Sequence, residues 1–184
     1  PPMTAMVNTT KAAVQEATEL LAEQGVEVTP HPWLENCLIL NKTGNLERLD
    51  AYEQGLFYIQ DPASRLMALA SGAAPGMRVL DMCAAPGGKS FAAAIQMDNQ
   101  GEVISCDLHP HKKKLIQAGA DRLGLSIIKP MTADGKVRRE EWVSAFDLVL
   151  VDAPCSGLGV IRKKPDIRYK DPKPLEDLPQ VQQA

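Results

Sequence analysis

Short runs of apolar residues alternate with amphipathic segments from residue 56 to residue 151. The runs are too short for helices, whereas the amphipathic segments place apolar residues three or four positions apart. The pattern predicts strands at 78–81, 102–107, 126–130 and 145–151 and helices at 61–69, 89–97 and 112–123. Strands and helices in this order form a doubly wound parallel α/β sheet, which binds ligands beyond the carboxyl ends of its strands.

The first 50 residues show a different pattern, which predicts a small α+β unit. Its expected elements are a strand at 5–7, a helix at 11–24 and strands at 26–28 and 33–40. A polar turn at 41–45 then leads into the second region. We therefore predict two domains, at 1–50 and 51–184, and expect residues 175–184 to begin a further helix.

The composition is that of an ordinary globular protein, with 45% hydrophobic and 23% charged residues. No apolar run approaches the roughly 20 residues that cross a membrane, so we expect no membrane association. The net charge of -3 does not indicate wholesale phosphate binding, although compact basic clusters lie at 109–114 and 162–164.

The four cysteines are widely separated, without a C-x-x-C pair. Their spacing argues against a structural metal site and against a disulfide framework. It favours reduced thiols and a cytoplasmic location, and no metal ligands are predicted. We expect Cys37 and Cys106 to be small buried residues.

A loop of small residues separates the strand at 78–81 from the following helix. Small residues allow the backbone to approach a ligand closely, and a helix N-terminus favours a negative group. The alternative is an ordinary tight turn between strand and helix. The candidate ligand-binding residues of this loop are Cys83, Ala84, Ala85, Pro86, Gly87, Gly88 and Lys89.

Three aspartates, Asp107, Asp134 and Asp152, follow successive predicted strands and should meet at the same edge of the sheet. An acid there can accept hydrogen bonds from ribose hydroxyls, but Asp107 could instead cap a helix and Asp134 could form a turn with Gly135. A row of acids suits a cationic, hydroxyl-bearing ligand better than a triphosphate. The sequence also lacks the first glycine of a P-loop, since Cys83 occupies that position.

Two long motifs, DMCAAPGGKS at 81–90 and DAPCSGLGVIRKKPDIRY at 152–169, resemble those of RNA cytosine-C5 methyltransferases that use S-adenosylmethionine. The segments VNTTK at 7–11 and GLFYIQDPAS at 55–64 are similar to the same family. The resemblance covers nearly the whole chain. It implies an α/β, Rossmann-like S-adenosylmethionine-dependent methyltransferase fold with a truncated parallel sheet, preceded by a small α+β RNA-binding subdomain.

The resemblance also implies a role for each candidate residue. The loop at 83–89 would hold S-adenosylmethionine, Asp107 the ribose hydroxyls, and Asp134 would lie beside the adenine. Asp152 would lie near the methionine end and the target base. Cys155 would assist product release, while a second cysteine, in a Thr-Cys motif, would attack the base. No Thr-Cys dipeptide occurs in the 184 residues, so the chain alone is expected to be inactive.

The function implied by the resemblance is transfer of a methyl group to C5 of a cytosine in small-subunit ribosomal RNA through a covalent cysteine–cytosine adduct. The expected cofactor is S-adenosylmethionine, and the expected state is a cytoplasmic monomer. Two alternatives remain open from the sequence. The RNA substrate could be a tRNA, because phosphate contacts do not encode RNA identity, or the chain could be a non-catalytic cofactor- and RNA-binding module.

Overall fold

The structure is a computed structural model that describes residues 2–171 and 173–183. Its strands are β1 (Met3–Val7), β2 (Glu27–Pro30), β3 (Cys37–Asn41), β4 (Phe57–Ile59), β5 (Arg78–Asp81), β6 (Glu102–Asp107), β7 (Ile128–Thr132) and β8 (Leu148–Leu150). Its helices are α1 (Val14–Glu23), α2 (Asp50–Glu53), α3 (Pro62–Ala70), α4 (Gly88–Gln96), α5 (Pro110–Leu123) and α6 (Leu178–Gln183). Short 3-10 helices lie at Leu46–Arg48, Glu140–Trp142, Leu158–Val160, Pro165–Tyr169 and Lys173–Leu175. None of the described helices is long and apolar enough to span a bilayer.

The N-terminal sheet is antiparallel, with the strand order β2-β3-β1-β4. Helices α1 and α2 contribute to its core, in which Ala17, Leu21 and Phe57 are fully buried. Strand β4 was not predicted, because three residues are too few to show a strand period. The division into domains at residue 50 stays a prediction, but the first sheet itself continues to Ile59.

The second sheet is parallel, with the order β7-β6-β5-β8, and it confirms the predicted α/β architecture. In the register, Val79 of β5 lies between Val103 of β6 and Leu148 of β8. Helices α4 and α5 pack against this sheet, and Ile116 is fully buried in the same core. Cys106 is fully buried, as predicted.

Some element bounds differ from the sequence prediction for local reasons. Strand β8 begins at Leu148 rather than at residue 145; the preceding residue, Asp147, makes two hydrogen bonds of 2.8 and 2.9 Å with the main chain of Arg78 in β5. Helix α1 begins at Val14 rather than at residue 11, because the Asn8 carbonyl accepts bonds from the N–H groups of Lys11 and Ala12 in a preceding turn. The predicted C-terminal helix is present as α6, although Ala184 lies outside the described residues.

The two sheets are joined through buried polar contacts to main-chain carbonyls. Asn8 is fully buried, and its Nδ2 donates to the carbonyl oxygens of Gly55, at 3.1 Å, and Leu123, at 2.8 Å. The guanidinium of Arg122 donates to the carbonyls of Tyr52 and Phe57 and lies 3.7 Å from the centre of the Tyr52 ring. The segment before β4 is therefore tied directly to the end of α5.

Gly55 is the tightest point of this junction. Its φ is +71°, and a Cβ there would lie 2.0 Å from the carbonyl oxygen of Arg122. Gly72 has the same φ of +71°, but a Cβ at that residue would have no atom within 4 Å. The two glycines therefore share backbone conformation and differ in the space around them.

We expect Gly55→Ala to destabilise the chain far more than Gly72→Ala. The left-handed conformation alone should cost about 1 to 2 kcal/mol at either site, and overpacking against a fixed carbonyl should add about 1 to 3 kcal/mol at residue 55. Urea unfolding of both variants measures the difference in the free energy of unfolding. Equal losses in the two variants would contradict a close contact between Gly55 and α5.

Candidate functional site

Four aspartates lie at the carboxyl edge of the parallel sheet. Asp81 and Asp107 end β5 and β6, whereas Asp134 and Asp152 lie two residues beyond the ends of β7 and β8. This edge borders a cavity of about 550 Å³, and all of these residues except Asp81 line it. A cavity of this size is typical of small-molecule and cofactor sites. The three acids predicted from the sequence are thus brought together at one site.

The loop after β5 is shaped by Gly87. Its φ is +116°, and a Cβ at this position would lie 2.3 Å from the ring of Phe91. The N–H of Gly87 donates to the carbonyl of Ala84 at 2.7 Å, and the N–H of Ala84 donates to the carbonyl of Cys106 at 2.8 Å. The loop is therefore closed on itself and anchored to β6. A side chain at residue 87 would be both strained and obstructed.

The predicted loop residues occupy different positions. Cys83 and Ala85 line the cavity, and Ala84 is buried beneath them. Pro86 and Gly87 lead into α4, which begins with Gly88 and Lys89. The first N–H groups of a helix have no acceptor within the helix, and they carry a partial positive charge. This N-terminus, which favours an anion, follows directly on the loop residues Cys83 and Ala85 that line the cavity.

Asp107 is held rigidly at the edge of the cavity, with only 7% of its surface exposed. One carboxylate oxygen accepts a hydrogen bond of 3.0 Å from the N–H of His109, and the other lies 3.7 Å from Nζ of Lys112. The N-cap of α5 is His109, so Asp107 is not the cap that the alternative interpretation required. Its second oxygen can accept from a ligand.

Asp134 combines a turn with a place in the cavity wall. Its carboxylate accepts a bond of 3.0 Å from the N–H of Lys136, as the Asp-Gly turn alternative predicts. Asp134 is half-buried and borders the cavity beside Ala133, which is packed against Leu80 and Ile104. The turn and a ligand contact are compatible, because the carboxylate has a second oxygen.

Asp152 forms an ion pair with Lys89 of α4. Lys89 is largely buried, whereas Asp152 is exposed along the cavity wall with Ala153 and Pro154. The pair links the loop at residues 83–89, which we call the glycine loop, to the segment after β8. It also neutralises one of the acids that face the cavity.

Cys155 is exposed and lies just beyond the cavity wall. Its neighbour Pro154 is in the wall, and the Pro154 carbonyl accepts a bond of 2.7 Å from Nε2 of Gln182. Val181 and Gln182 of α6 complete this side of the cavity. Sequence reasoning missed them, because no local pattern signals a contact between segments 28 residues apart.

Asp81 was not among the residues predicted to form the site. It is fully buried, and its Oδ2 accepts a bond of 2.8 Å from the hydroxyl of Ser90, which itself accepts from Ser105 at 2.7 Å. Its Oδ1 has no hydrogen-bond partner among the described residues. Burial raises the pKa of Asp81 to about 6, while the Ser90 hydrogen bond and the Lys89 charge oppose the rise. The sequence signal that could have identified Asp81 is its place as the first residue of the motif DMCAAPGGKS at 81–90.

Two basic clusters lie near the site. His109 and His111 stack with ring centres 5.5 Å apart at the start of α5, and His109 and Lys112 line the cavity. In the second cluster, Lys163 forms an ion pair with Asp61, the N-cap of α3. This pair links the segment after Cys155 to the start of α3.

We expect the free energy of unfolding of Asp81→Asn, relative to that of the wild type, to increase as the pH rises. The buried carboxyl has a pKa of about 6 in the fold and about 4 when unfolded, so its ionisation costs stability between those values. The difference in unfolding free energy between variant and wild type should shift by up to about 3 kcal/mol in favour of the variant from pH 4 to pH 7. Denaturant unfolding at both pH values measures this shift.

The exposed substitution Asp121→Asn controls for the loss of one carboxylate from the chain. The difference in unfolding free energy between Asp81→Asn and wild type could instead stay constant with pH or move in favour of the wild type. Either result would show that the fold does not hold Asp81 away from water.

Two family models match the chain. "16S rRNA methyltransferase RsmB/F" matches residues 67–184, and the "Methyltr_RsmF/B-like, ferredoxin-like domain" matches residues 1–47. These matches agree with the observed architecture, a parallel α/β sheet preceded by a small α+β unit. They confirm the predicted fold class.

Curated relatives and a solved structure are similar over most of the chain. The chain is 44% identical over 184 residues to probable ribosomal RNA small subunit methyltransferase B of Bacillus subtilis (strain 168). It is 36% identical over 167 residues to ribosomal RNA small subunit methyltransferase F of Escherichia coli O81 (strain ED1a). These two matches cover 99% and 87% of this chain, which spans 41% and 35% of the two relatives. The crystal structure of PH0851 superposes with a TM-score of 0.92 at 31% identity, covering 98% of this chain and 41% of that one.

Proposed function

Because the chain belongs to the 16S rRNA methyltransferase RsmB/F family, we propose that its protein transfers a methyl group from S-adenosylmethionine to C5 of a cytosine in small-subunit ribosomal RNA. The observation that carries this proposal is the meeting of the glycine loop with Asp107, Asp134 and Asp152 around one cavity. The proposed site of action is the cytoplasm. The proposed oligomeric state is a monomer.

S-adenosylmethionine is the cofactor of this family, and when bound it supplies an electrophilic methyl group on a sulfonium. The described residues fit it in charge and shape. We assign the second carboxylate oxygen of Asp107 to the ribose hydroxyls and Asp134, which also lines the cavity, to the adenine end. We assign Asp152 to the cationic methionine end of the cofactor and the N-terminus of α4 to the methionine carboxylate. The roles of these residues are part of the proposal.

Cytosine C5 is a weak nucleophile, so the proposed reaction uses a thiolate. Addition of the thiolate to C6 makes C5 enamine-like and able to accept a methyl group. The C5 proton then leaves and the thiolate is eliminated. A base in a stacked helix must first be moved out to reach the cavity. Arg162 and Lys164 follow the Cys155 loop and are exposed, which suits contacts with the phosphates nearby.

The thiols of the chain differ in their fitness for this chemistry. Burial raises the pKa of Cys37 and of Cys106 to about 11, which leaves both protonated near neutral pH. Burial, with the charges of nearby aspartates, also raises the pKa of Cys83. Cys155 alone among the four is exposed. We propose that Cys155 assists release of the methylated product and that a cysteine outside these four attacks the base.

The test of the proposed activity is methyl transfer by the full-length gene product. With labelled S-adenosylmethionine and small-subunit ribosomal RNA, we expect label at cytosine C5. Asp107→Asn should lower transfer about tenfold or more at limiting cofactor, because a charged acceptor is lost from the ribose site, whereas Asp121→Asn should not. Label on tRNA alone would favour the tRNA alternative, and cofactor binding with no label on either RNA would favour a non-catalytic module.

A separate test assigns the role of Cys155. In the full-length gene product, Cys155→Ser should form the covalent RNA adduct but fail to release it, because the assisting thiol is lost while the attacking one remains. Denaturing gel electrophoresis with labelled RNA measures the accumulation of the adduct. Complete loss of the adduct in this variant would instead make Cys155 the nucleophile.

A further inference from the structure

Gln60, the residue after β4, carries a buried side-chain amide at the boundary between the two sheets. Only 8% of its surface is exposed. Its backbone is fixed by Thr4, since its N–H donates to the Thr4 carbonyl at 3.2 Å and its carbonyl accepts from the Thr4 hydroxyl at 2.6 Å. Its side-chain Oε1 accepts a bond of 3.2 Å from the hydroxyl of Tyr58. The orientation of the amide is therefore set by the first sheet.

The other end of this amide faces the start of α4. A Cβ on Gly88 would lie 3.1 Å from Nε2 of Gln60, so the absence of a side chain at residue 88 leaves room for the amide. Within residues 2–171 and 173–183, no acceptor is hydrogen-bonded to Nε2. Gln60, nine-tenths buried as a residue, thus holds an Nε2 donor without an acceptor among the described residues beside the first residue of α4.

The charges around the cavity restrict what these donors can bind. Asp107 and Asp134 face the cavity and would repel a negative group, whereas Asp152 is paired with Lys89. The N-terminus of α4, which follows the cavity-lining residues Cys83 and Ala85, favours an anion because its first N–H groups have no acceptor within the helix and carry a partial positive charge. Lys89 lies there too, but its ion pair with Asp152 neutralises much of its charge. Neutral amide donors must therefore carry much of the recognition.

We propose that Nε2 of Gln60 is a specificity-determining donor to the carboxylate of the methionine part of S-adenosylmethionine, acting together with the N-terminus of α4. This inference rests on the cofactor assignment of the proposed function. The carboxylate is the one anionic group of that cofactor, whose sulfonium and ammonium groups are cationic and suit the acids. A residue at the end of the first sheet thereby contributes a contact to the cofactor site at the edge of the second sheet.

A purely packing role for Gln60 predicts different behaviour. In that case, changes at Gln60 would alter the stability of the chain and would affect all ligands of the cavity equally. Decarboxylated S-adenosylmethionine separates the two roles, because it keeps the sulfonium and the nucleoside but lacks the carboxylate. Calorimetric titration of the full-length gene product with both compounds gives dissociation constants that do not depend on turnover.

The main variant is Gln60→Glu, which keeps the shape of the side chain and an acceptor for Tyr58 but replaces the donor with a negative oxygen. Gln60→Met removes the donor without adding charge and serves if the glutamate variant does not fold. Gln54→Glu is the matched control, since Gln54 is exposed and its side chain makes no hydrogen bond among the described residues. Thermal unfolding checks that each variant is folded at the titration temperature.

We expect Gln60→Glu and Gln60→Met to weaken binding of S-adenosylmethionine about tenfold or more, the loss typical of a hydrogen bond to a charged group. Binding of the decarboxylated compound should change less than about threefold, and Gln54→Glu should change neither. Equal weakening of both compounds, or no weakening in a folded variant, would overturn the inference while leaving the cofactor assignment intact. Failure of the full-length wild-type protein to bind either compound would overturn the cofactor assignment and the inference with it.

Discussion

The parallel pairing of β5 with both β6 and β8 is the constraint on which the candidate site depends. Asp81, the last residue of β5, pairs with Ser105 of β6 and Leu150 of β8, so three strands reach the same edge in register. Successive residues of a strand point to opposite faces, so a slip of one residue would exchange the two faces of β5. The network from Asp81 through Ser90 to Ser105 would then be lost. The glycine loop and the aspartates share one cavity because this register holds.

Bringing four carboxylates to one edge creates a repulsion that the structure relieves in different ways. Asp152 is paired with Lys89, and Asp107 is bonded to a main-chain N–H with Lys112 nearby. Asp81 is buried, so its neutral form is favoured to a higher pH than usual because its pKa is raised. A cationic cofactor would relieve the remainder. The charge pattern and the fold therefore favour the same class of ligand.

The sequence predicted the parallel sheet well, because residues 78–81 and 102–107 are largely buried and form apolar runs that end in aspartate. It predicted the positions of Asp107, Asp134 and Asp152 for the same reason, since strand ends fix the edge. Strand β4 is too short to show a period, and its place in the first sheet depends on pairing with β1, which is distant in the sequence. The burial of Asp81 and the contact of Gln182 with Pro154 likewise arise only from tertiary packing.

The central claim is that the glycine loop and the three strand-end segments form one cofactor site. Amide hydrogen exchange of the chain, with and without S-adenosylhomocysteine, tests it most directly. The account predicts slower exchange in the presence of the ligand at four segments together, residues 82–89, 107–109, 133–137 and 151–155, and unchanged exchange in the turn at residues 31–36. Protection confined to the first sheet, or protection of the glycine loop without the segments at Asp107 and Asp134, would contradict a single site.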